Sequence, residues 1–400
     1  MAAQQFTRRG FVSSALAAGL AARPDSASRS PILPEAVLEI GTDQIERIVY
    51  AYLPTVSPHI GAAVGVASPF FGARITCFGS LLDQNGLPMV FTTDTPFEIA
   101  SVTKTVTASV YERLIQTGQI NGNTALDGLI DPAVSSTIRS IPLYDLANYT
   151  SGLPADNVDC YMNCTYPTPL GSSYTLAEMI SFLSSPTFTI TPPGTTYSYS
   201  NLGFSLLAIA LQAAVGAGDF QTLANTEILQ NLGMAKTQLW SPSTAALLPQ
   251  GFQDSANAAP NGYPLFPAYF GAAGLLSTPN DMMTWLQFNM GIIQSDTLSG
   301  ILSALHTPAA EGVSGLPAHK VPGLGWNVTT WFRSDEKLTL IEKNGDLEGF
   351  TTQVALLPPA PGSPSPAGVF VLVNSGQDNI NQGSAASRIA RDLLFAMKRR

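Results

Sequence analysis

The sequence predicts an α/β fold with one sheet assembled from both chain ends, flanked by helices around a mainly helical insert. Three observations carry this reading. Apolar β-like runs cluster near the start (60–67, 74–81) and near the end (337–342, 351–357, 368–373). The middle alternates helical segments with loops rich in Pro, Gly, Asn and Thr. A helix with one apolar face stands near each end.

Taken in order, Ile45, Ile48, Val49, Tyr52 and Leu53 recur at helical spacing after Asp43, predicting a helix over 43–53. The runs 60–67 and 74–81 predict two strands joined by a Pro/Phe/Gly turn, with Cys77 a buried free thiol in the second. Phe97-Glu98-Ile99-Ala100 leads into a helix over 102–116, stopped at Gly118. The 17 residues 202–218 are interrupted only by Ser205 and Gln212, near the lower edge of a membrane-spanning length. They lack flanking Lys or Arg and follow a polar run, which predicts a buried core helix instead. The strands 351–357 and 368–373 are linked by a Pro/Ser/Gly loop, and a last helix over 384–397 ends in Lys398-Arg399-Arg400, suited to a helix C-terminus.

Composition bounds the function. Only 12% of the 400 residues are charged, about half the usual share, and 45% are apolar, which excludes a disordered chain. The net charge of −9 argues against nucleic acid as a partner, because phosphate binding needs a basic face.

The first thirty residues read as an address. Thr7-Arg8-Arg9-Gly10-Phe11 precedes a short apolar run, 11–22, in the arrangement of a twin-arginine secretory signal. A short amphipathic anchor is the alternative, but twelve residues cannot span a bilayer, so export to the periplasm or beyond is expected with no stable membrane span. Cleavage is expected after Ala22, or within Ser26-Ala27-Ser28; residues 1–30 together hold four arginines and one aspartate. The chain after residue 30 then carries 15 basic against 27 acidic residues, a net −12. In an exported chain Cys160 and Cys164 can close a small disulfide loop; a metal site there lacks a second ligand pair.

Three short motifs carry chemistry. Ser101-Val102-Thr103-Lys104 opens a predicted helix, so the hydroxyl and the amine three residues on share a face. A serine is a poor nucleophile until a neighbouring base takes its proton, and a lysine desolvated by burial can supply one. Of the six lysines, only Lys337 also has a serine three residues before it, and Ser334-Asp335-Glu336-Lys337 is a polar turn with no helix after it. Tyr199-Ser200-Asn201 offers a phenol to move protons and an amide to hold an amide-bearing substrate. Tyr161-Met162-Asn163 has the same form but no apolar segment to anchor it. Lys343-Asn344-Gly345 ends a strand-like run, with Lys343 and Gly345 on one face and a glycine that lets a substrate approach the backbone closely. Taken alone, its Asn-Gly is equally a hairpin signal.

In this order the three motifs resemble those of the serine β-lactamase and penicillin-binding-protein superfamily, closest to its class C β-lactamase and D,D-peptidase branch. Phe97-Glu98-Ile99-Ala100-Ser101, the Leu146–Pro154 stretch ending Thr-Ser-Gly-Leu-Pro, Gly274–Met282 and Gly323-Leu324-Gly325-Trp326 extend the resemblance over most of the chain. The resemblance implies an α+β sandwich with an antiparallel sheet, an α/β domain from 31–118 and 275–400, and an inserted helical domain, 119–274. The site would lie between them.

It further implies that Ser101 attacks an amide or ester carbonyl of a small-molecule or peptide substrate, with Lys104 and Tyr199 taking and returning the proton. Asn201 would hold the substrate amide, and Lys343 would act on the substrate carboxylate or on Tyr199. The backbone N–H groups of Ser101 and Asp346 would hold the oxyanion, with no cofactor or metal. Asp346 departs from the family, which favours small or hydroxyl residues there. Facing the site, its charge would oppose a substrate carboxylate.

Competing chemistries lack their residues. No G-x-S-x-G is present for an α/β-hydrolase. The only histidines, His59, His306 and His319, stand apart from any motif and read as structural or surface residues, too few for a metallohydrolase. Two alternatives within the same fold are an esterase of small acyl esters and a penicillin-binding sensor that acylates without turnover.

Overall fold

The apolar runs of the two chain ends meet in one sheet. In the computed structural model, which describes residues 39–53, 59–155, 175–185, 188–253, 258–259, 267–376 and 383–397, this sheet has seven strands. They are β1 (Ala62–Ser68), β2 (Gly72–Phe78), β3 (Lys320–Pro322), β4 (Asn327–Arg333), β5 (Glu336–Asp346), β6 (Thr351–Leu356) and β7 (Gly368–Val373). Their spatial order is β3-β4-β5-β6-β7-β1-β2, and every neighbouring pair is antiparallel. The pair β1–β7, in register from Ala62↔Val373 to Ala67↔Gly368, joins the N-terminal hairpin to the C-terminal meander. The expected sheet from both chain ends is therefore present.

All of β1 is buried because both sheet faces are covered. Alternation sorts its side chains: Val64 and Val66 join Val369, Val371 and Val373 on one face, while Ala63 and Ala67 join Phe370, Leu372 and Val354 on the other. The first face packs on α1 (Thr42–Tyr50) and α5 (Ala385–Met397) through Ile45, Val49, Ile389, Leu393 and Leu394. Each such buried side chain contributes about 1.5–3 kcal/mol.

The other face carries α2 (Thr103–Gln116), α3 (Asn201–Val215) and α4 (Pro279–Asn289). In α3 the Ser200 hydroxyl caps the first turn by accepting the Gly203 N–H at 2.8 Å, and Gly216 ends the helix at φ 67°. Leu202, Phe204, Leu206, Leu207 and Leu211 are all buried, so this apolar run is a core helix as its flanks predicted. Among the described residues no single helix is long and apolar enough to cross a membrane.

Three details differ from expectation. The predicted helix over 102–116 opens with a tight 3-10 turn, Ala100–Val102, before α2 begins. The Asn-Gly of the third motif does not turn the chain: the motif closes β5 as a strand paired with β6 through Asp346↔Thr351, and the turn follows, with Leu347 N–H donating to Phe350 O at 2.9 Å. Cys77 is a free thiol but half-buried, because β2 is an edge strand. Ser334 takes φ 56° in the β4–β5 hairpin turn, matching the polar turn read there. The signal segment 1–30, Cys160, Cys164 and Tyr161-Met162-Asn163 lie outside the described residues.

Candidate active site

Ser101 is placed by a short strand. Phe97–Glu98 pairs with Leu275–Ser277, and the Ile99 N–H donates to Leu275 O at 3.1 Å. Ala100 then takes φ 47°, a left-handed backbone that costs a non-glycine residue about 1–2 kcal/mol. The 3-10 turn begins there and sets Ser101 facing Lys104. Ser101 sits in the 3-10 turn and Lys104 in the first turn of α2, and the spacing of three puts both side chains on one face.

The Lys104 Nζ donates to Ser101 Oγ at 2.9 Å, to Asn201 Oδ1 at 2.6 Å and to the Ala272 carbonyl at 2.8 Å. Those three acceptors match the three donors of an ammonium. Lys104 is fully buried, with Nζ 5.0 Å from the Tyr199 ring centroid and 5.8 Å from that of Phe204. From the opposite side the Tyr199 hydroxyl donates to Ser101 Oγ at 2.7 Å. The first two motifs therefore converge on one oxygen. Asn201 is at the site, but its side-chain oxygen orients Lys104.

The third motif borders the same cluster. Lys343 is buried, its Nζ 5.4 Å from the Tyr199 ring centroid and donating to Asn344 O at 2.6 Å. Burial, aided by the nearby Lys320 charge, lowers its pKa to about 7 against the opposing pull of Asp346 and Glu342. Gly345 faces the Ser101 turn: a Cβ there would lie 2.3 Å from Ile99 O and 3.1 Å from Ala100 Cβ. The close approach that needs this glycine is thus the protein's own backbone at Ile99. The sequence reading assigned that space to substrate.

Asp346 resolves into two parts. Since Leu347 bonds Phe350, the alternation of the ladder makes Asp346↔Thr351 a non-hydrogen-bonded pair. The Asp346 N–H therefore points away from β6, along the edge of β5 left open where the β4 register ends at Asn327↔Glu342. Its side chain falls on the strand face opposite Lys343 and Gly345, and its Oδ2 accepts from Asn344 Nδ2. The side chain is thus turned from the strand face that carries Lys343 and Gly345, although its charge still acts on Lys343.

Several contributors carry no local motif. The Ala272 carbonyl, the left-handed Ala100, and Tyr149 stacked on Tyr199 at 5.4 Å all shape the cluster. Tyr149 lay inside the Leu146–Pro154 resemblance, and its aromatic character was the one available signal. Of the histidines, His306 places Nε2 3.1 Å from Asn289 Oδ1 and packs edge-on to Trp326, while His319 packs on Phe332, so neither joins the cluster. Among the described residues no group of three His, Cys, Asp or Glu is arranged to hold a metal ion.

An antiparallel sheet layered with helices, with these motifs at its centre, is the β-lactamase fold. A β-lactamase from Sulfitobacter sp. EE-36 superposes with a TM-score of 0.67 at 21% identity, covering 89% of this chain and 99% of that one. A D-alanine carboxypeptidase AmpC from Burkholderia cenocepacia does so with a TM-score of 0.67 at 21% identity, covering 88% and 100%. The β-lactamase family model matches residues 83–393, and the chain belongs to the β-lactamase family of hydrolases. The D-alanyl-D-alanine-carboxypeptidase/endopeptidase AmpH of Escherichia coli K12 is 28% identical over 283 residues, 66% of this chain and 68% of that protein. A class C β-lactamase mutant shares the fold with a TM-score of 0.68 at 17% identity, covering 89% of this chain and 99% of that one.

Proposed function

We propose that this chain is an exported serine hydrolase that cleaves the amide of a D-amino-acid peptide or β-lactam through an acyl-Ser101 intermediate. The observation that carries the reading is Ser101 Oγ held between Lys104 Nζ at 2.9 Å and the Tyr199 hydroxyl at 2.7 Å. Lys104 already serves three acceptors as an ammonium does, so the ionised Tyr199 oxygen is the better acceptor for the serine proton. The two lysine ammonium groups beside its ring favour that form.

Ser101 Oγ then attacks the carbonyl carbon as its proton passes to Tyr199. The oxyanion is held by the N–H of Ser101, at a helix start where such groups lack intrahelical partners, and by that of Asp346. The carbon–nitrogen bond breaks, the leaving nitrogen takes the proton from Tyr199, and the acyl group stays on Ser101. Water then attacks the ester, giving its proton to Tyr199, which returns it to Ser101 as the acid leaves.

Hydrolysis of a D-Ala-D-Ala peptide, nitrocefin and p-nitrophenyl acetate, compared side by side with Ser101→Ala, tests this. The expected result is turnover of the peptide or the β-lactam, abolished in the variant. Turnover of the ester alone would replace the reading with an esterase, and acylation without turnover would replace it with a sensor. Export is expected from Thr7-Arg8-Arg9-Gly10-Phe11. Lysine at both positions 8 and 9 is expected to retain the protein inside the cell; unchanged export would remove this part.

A further inference from the structure

Tyr149 belongs to none of the three motifs, yet it is one of three described non-glycine residues with positive φ, at 66°. A bulky residue seldom holds that backbone unless its surroundings over-determine it. Its side chain is buried, and its ring stacks on Tyr199 with centroids 5.4 Å apart and planes at 18°. Phe204 of α3 closes on the same ring at 5.0 Å.

The backbone ties match. Tyr149 O accepts the Ser198 N–H at 2.8 Å, one residue before Tyr199. The Tyr149 hydroxyl donates to Gly325 O at 3.2 Å. Gly325 in turn lies so close to α2 that a Cβ on it would sit 2.6 Å from Lys104 O. Tyr149 thereby links the segment carrying Tyr199 to the loop that braces Lys104.

We propose that Tyr149 is a positioning residue for Tyr199, its stacked ring holding the Tyr199 oxygen at Ser101 Oγ and keeping water from that side of the phenol. The inference rests on the reading of Ser101 as nucleophile and Tyr199 as proton carrier. It acts through another residue, so it affects the chemical step and leaves substrate binding unchanged. Without the ring, water beside the phenol screens the two lysine charges that favour the phenolate.

The test is the rate of Ser101 acylation by a fluorescent penicillin and by p-nitrophenyl acetate, from pH 5 to 10, normalised to titrated active sites. Tyr149→Phe keeps the ring and is expected to stay within about threefold of wild type with the same pH profile. Tyr149→Leu is expected to lose about 10- to 100-fold in kcat at unchanged KM, with the acid limb moved to higher pH. Tyr149→Met fills the space without stacking and takes its place if the leucine variant does not fold. An unchanged per-site rate and profile in the leucine or methionine variant overturns the inference while leaving the reading of Ser101 standing. So does a phenylalanine variant as impaired as these, which would assign the effect to the hydroxyl. Wild-type protein that neither probe acylates overturns both.

Discussion

Asn201 Oδ1 lies 2.6 Å from Lys104 Nζ, shorter than that lysine's bonds to Ser101 Oγ and the Ala272 carbonyl. The asparagine of the second motif therefore orients the lysine of the first. Asn201→Ala is expected to lower kcat by about 10- to 100-fold, the cost of removing one aligned polar group from a reacting cluster. Steady-state kinetics on a β-lactam or peptide substrate checks it. A change confined to KM would mean that Asn201 contacts substrate alone.

Gly345→Ala places a methyl 2.3 Å from the Ile99 carbonyl, a backbone atom that cannot swing aside. Either β5 or the Ser101 turn has to move. The expected cost is about 1–3 kcal/mol of stability, as for other overpacked sites, with loss of most activity. Thermal melting and the acylation rate measure the two effects, and a variant with wild-type values for both would show that the turn is free to shift.

Lys343 yields a pH dependence. Burial lowers its pKa to about 7, so its charge fades as pH rises through neutrality. If that charge supports Tyr199 or an anionic substrate, kcat/KM falls above about pH 7, and Lys343→Arg, which stays charged, removes this alkaline limb. The folding consequence has its own sign. The unfolded lysine holds its proton up to about 10.4, so the folded state binds fewer protons between these values and stability rises with pH across that window. Activity and melting temperature recorded between pH 6 and 10 should therefore diverge.

His306 acts with the same sign in a more acidic window. Burial lowers its pKa to about 4 from 6.5, so the unfolded chain gains a proton before the folded one does. Its contribution is fully present above pH 6.5 and lost as pH falls toward 4, about 3 kcal/mol. His306→Gln is expected to flatten the stability profile in that range. An unaltered profile would place the acid sensitivity elsewhere.

The sequence made the local parts of this site readable. Ser101 and Lys104 are three apart at a helix start, and six lysines in the chain made each lysine informative. Tyr199 was separable from Tyr161 because the apolar run after it had to be a core helix, and α3 is one. The sheet followed from apolar runs at both ends. What stayed hidden depends on contacts distant along the chain. The Tyr149–Tyr199 stack, the Ala272 carbonyl on Lys104 and the Ile99 backbone against Gly345 leave no period or spacing to detect. The Asn-Gly of the third motif was ambiguous for another reason: it favours a hairpin, and pairing with β6 overrides that preference to keep it in β5.

The central claim is that Ser101 is the nucleophile. Intact-protein mass spectrometry after incubation with benzylpenicillin, followed by peptide mapping, tests it most directly. The expected result is one penicilloyl adduct on the peptide containing Ser101, absent in Ser101→Ala and strongly slowed in Lys104→Ala. An adduct on another residue, or one that persists in Ser101→Ala, would contradict it.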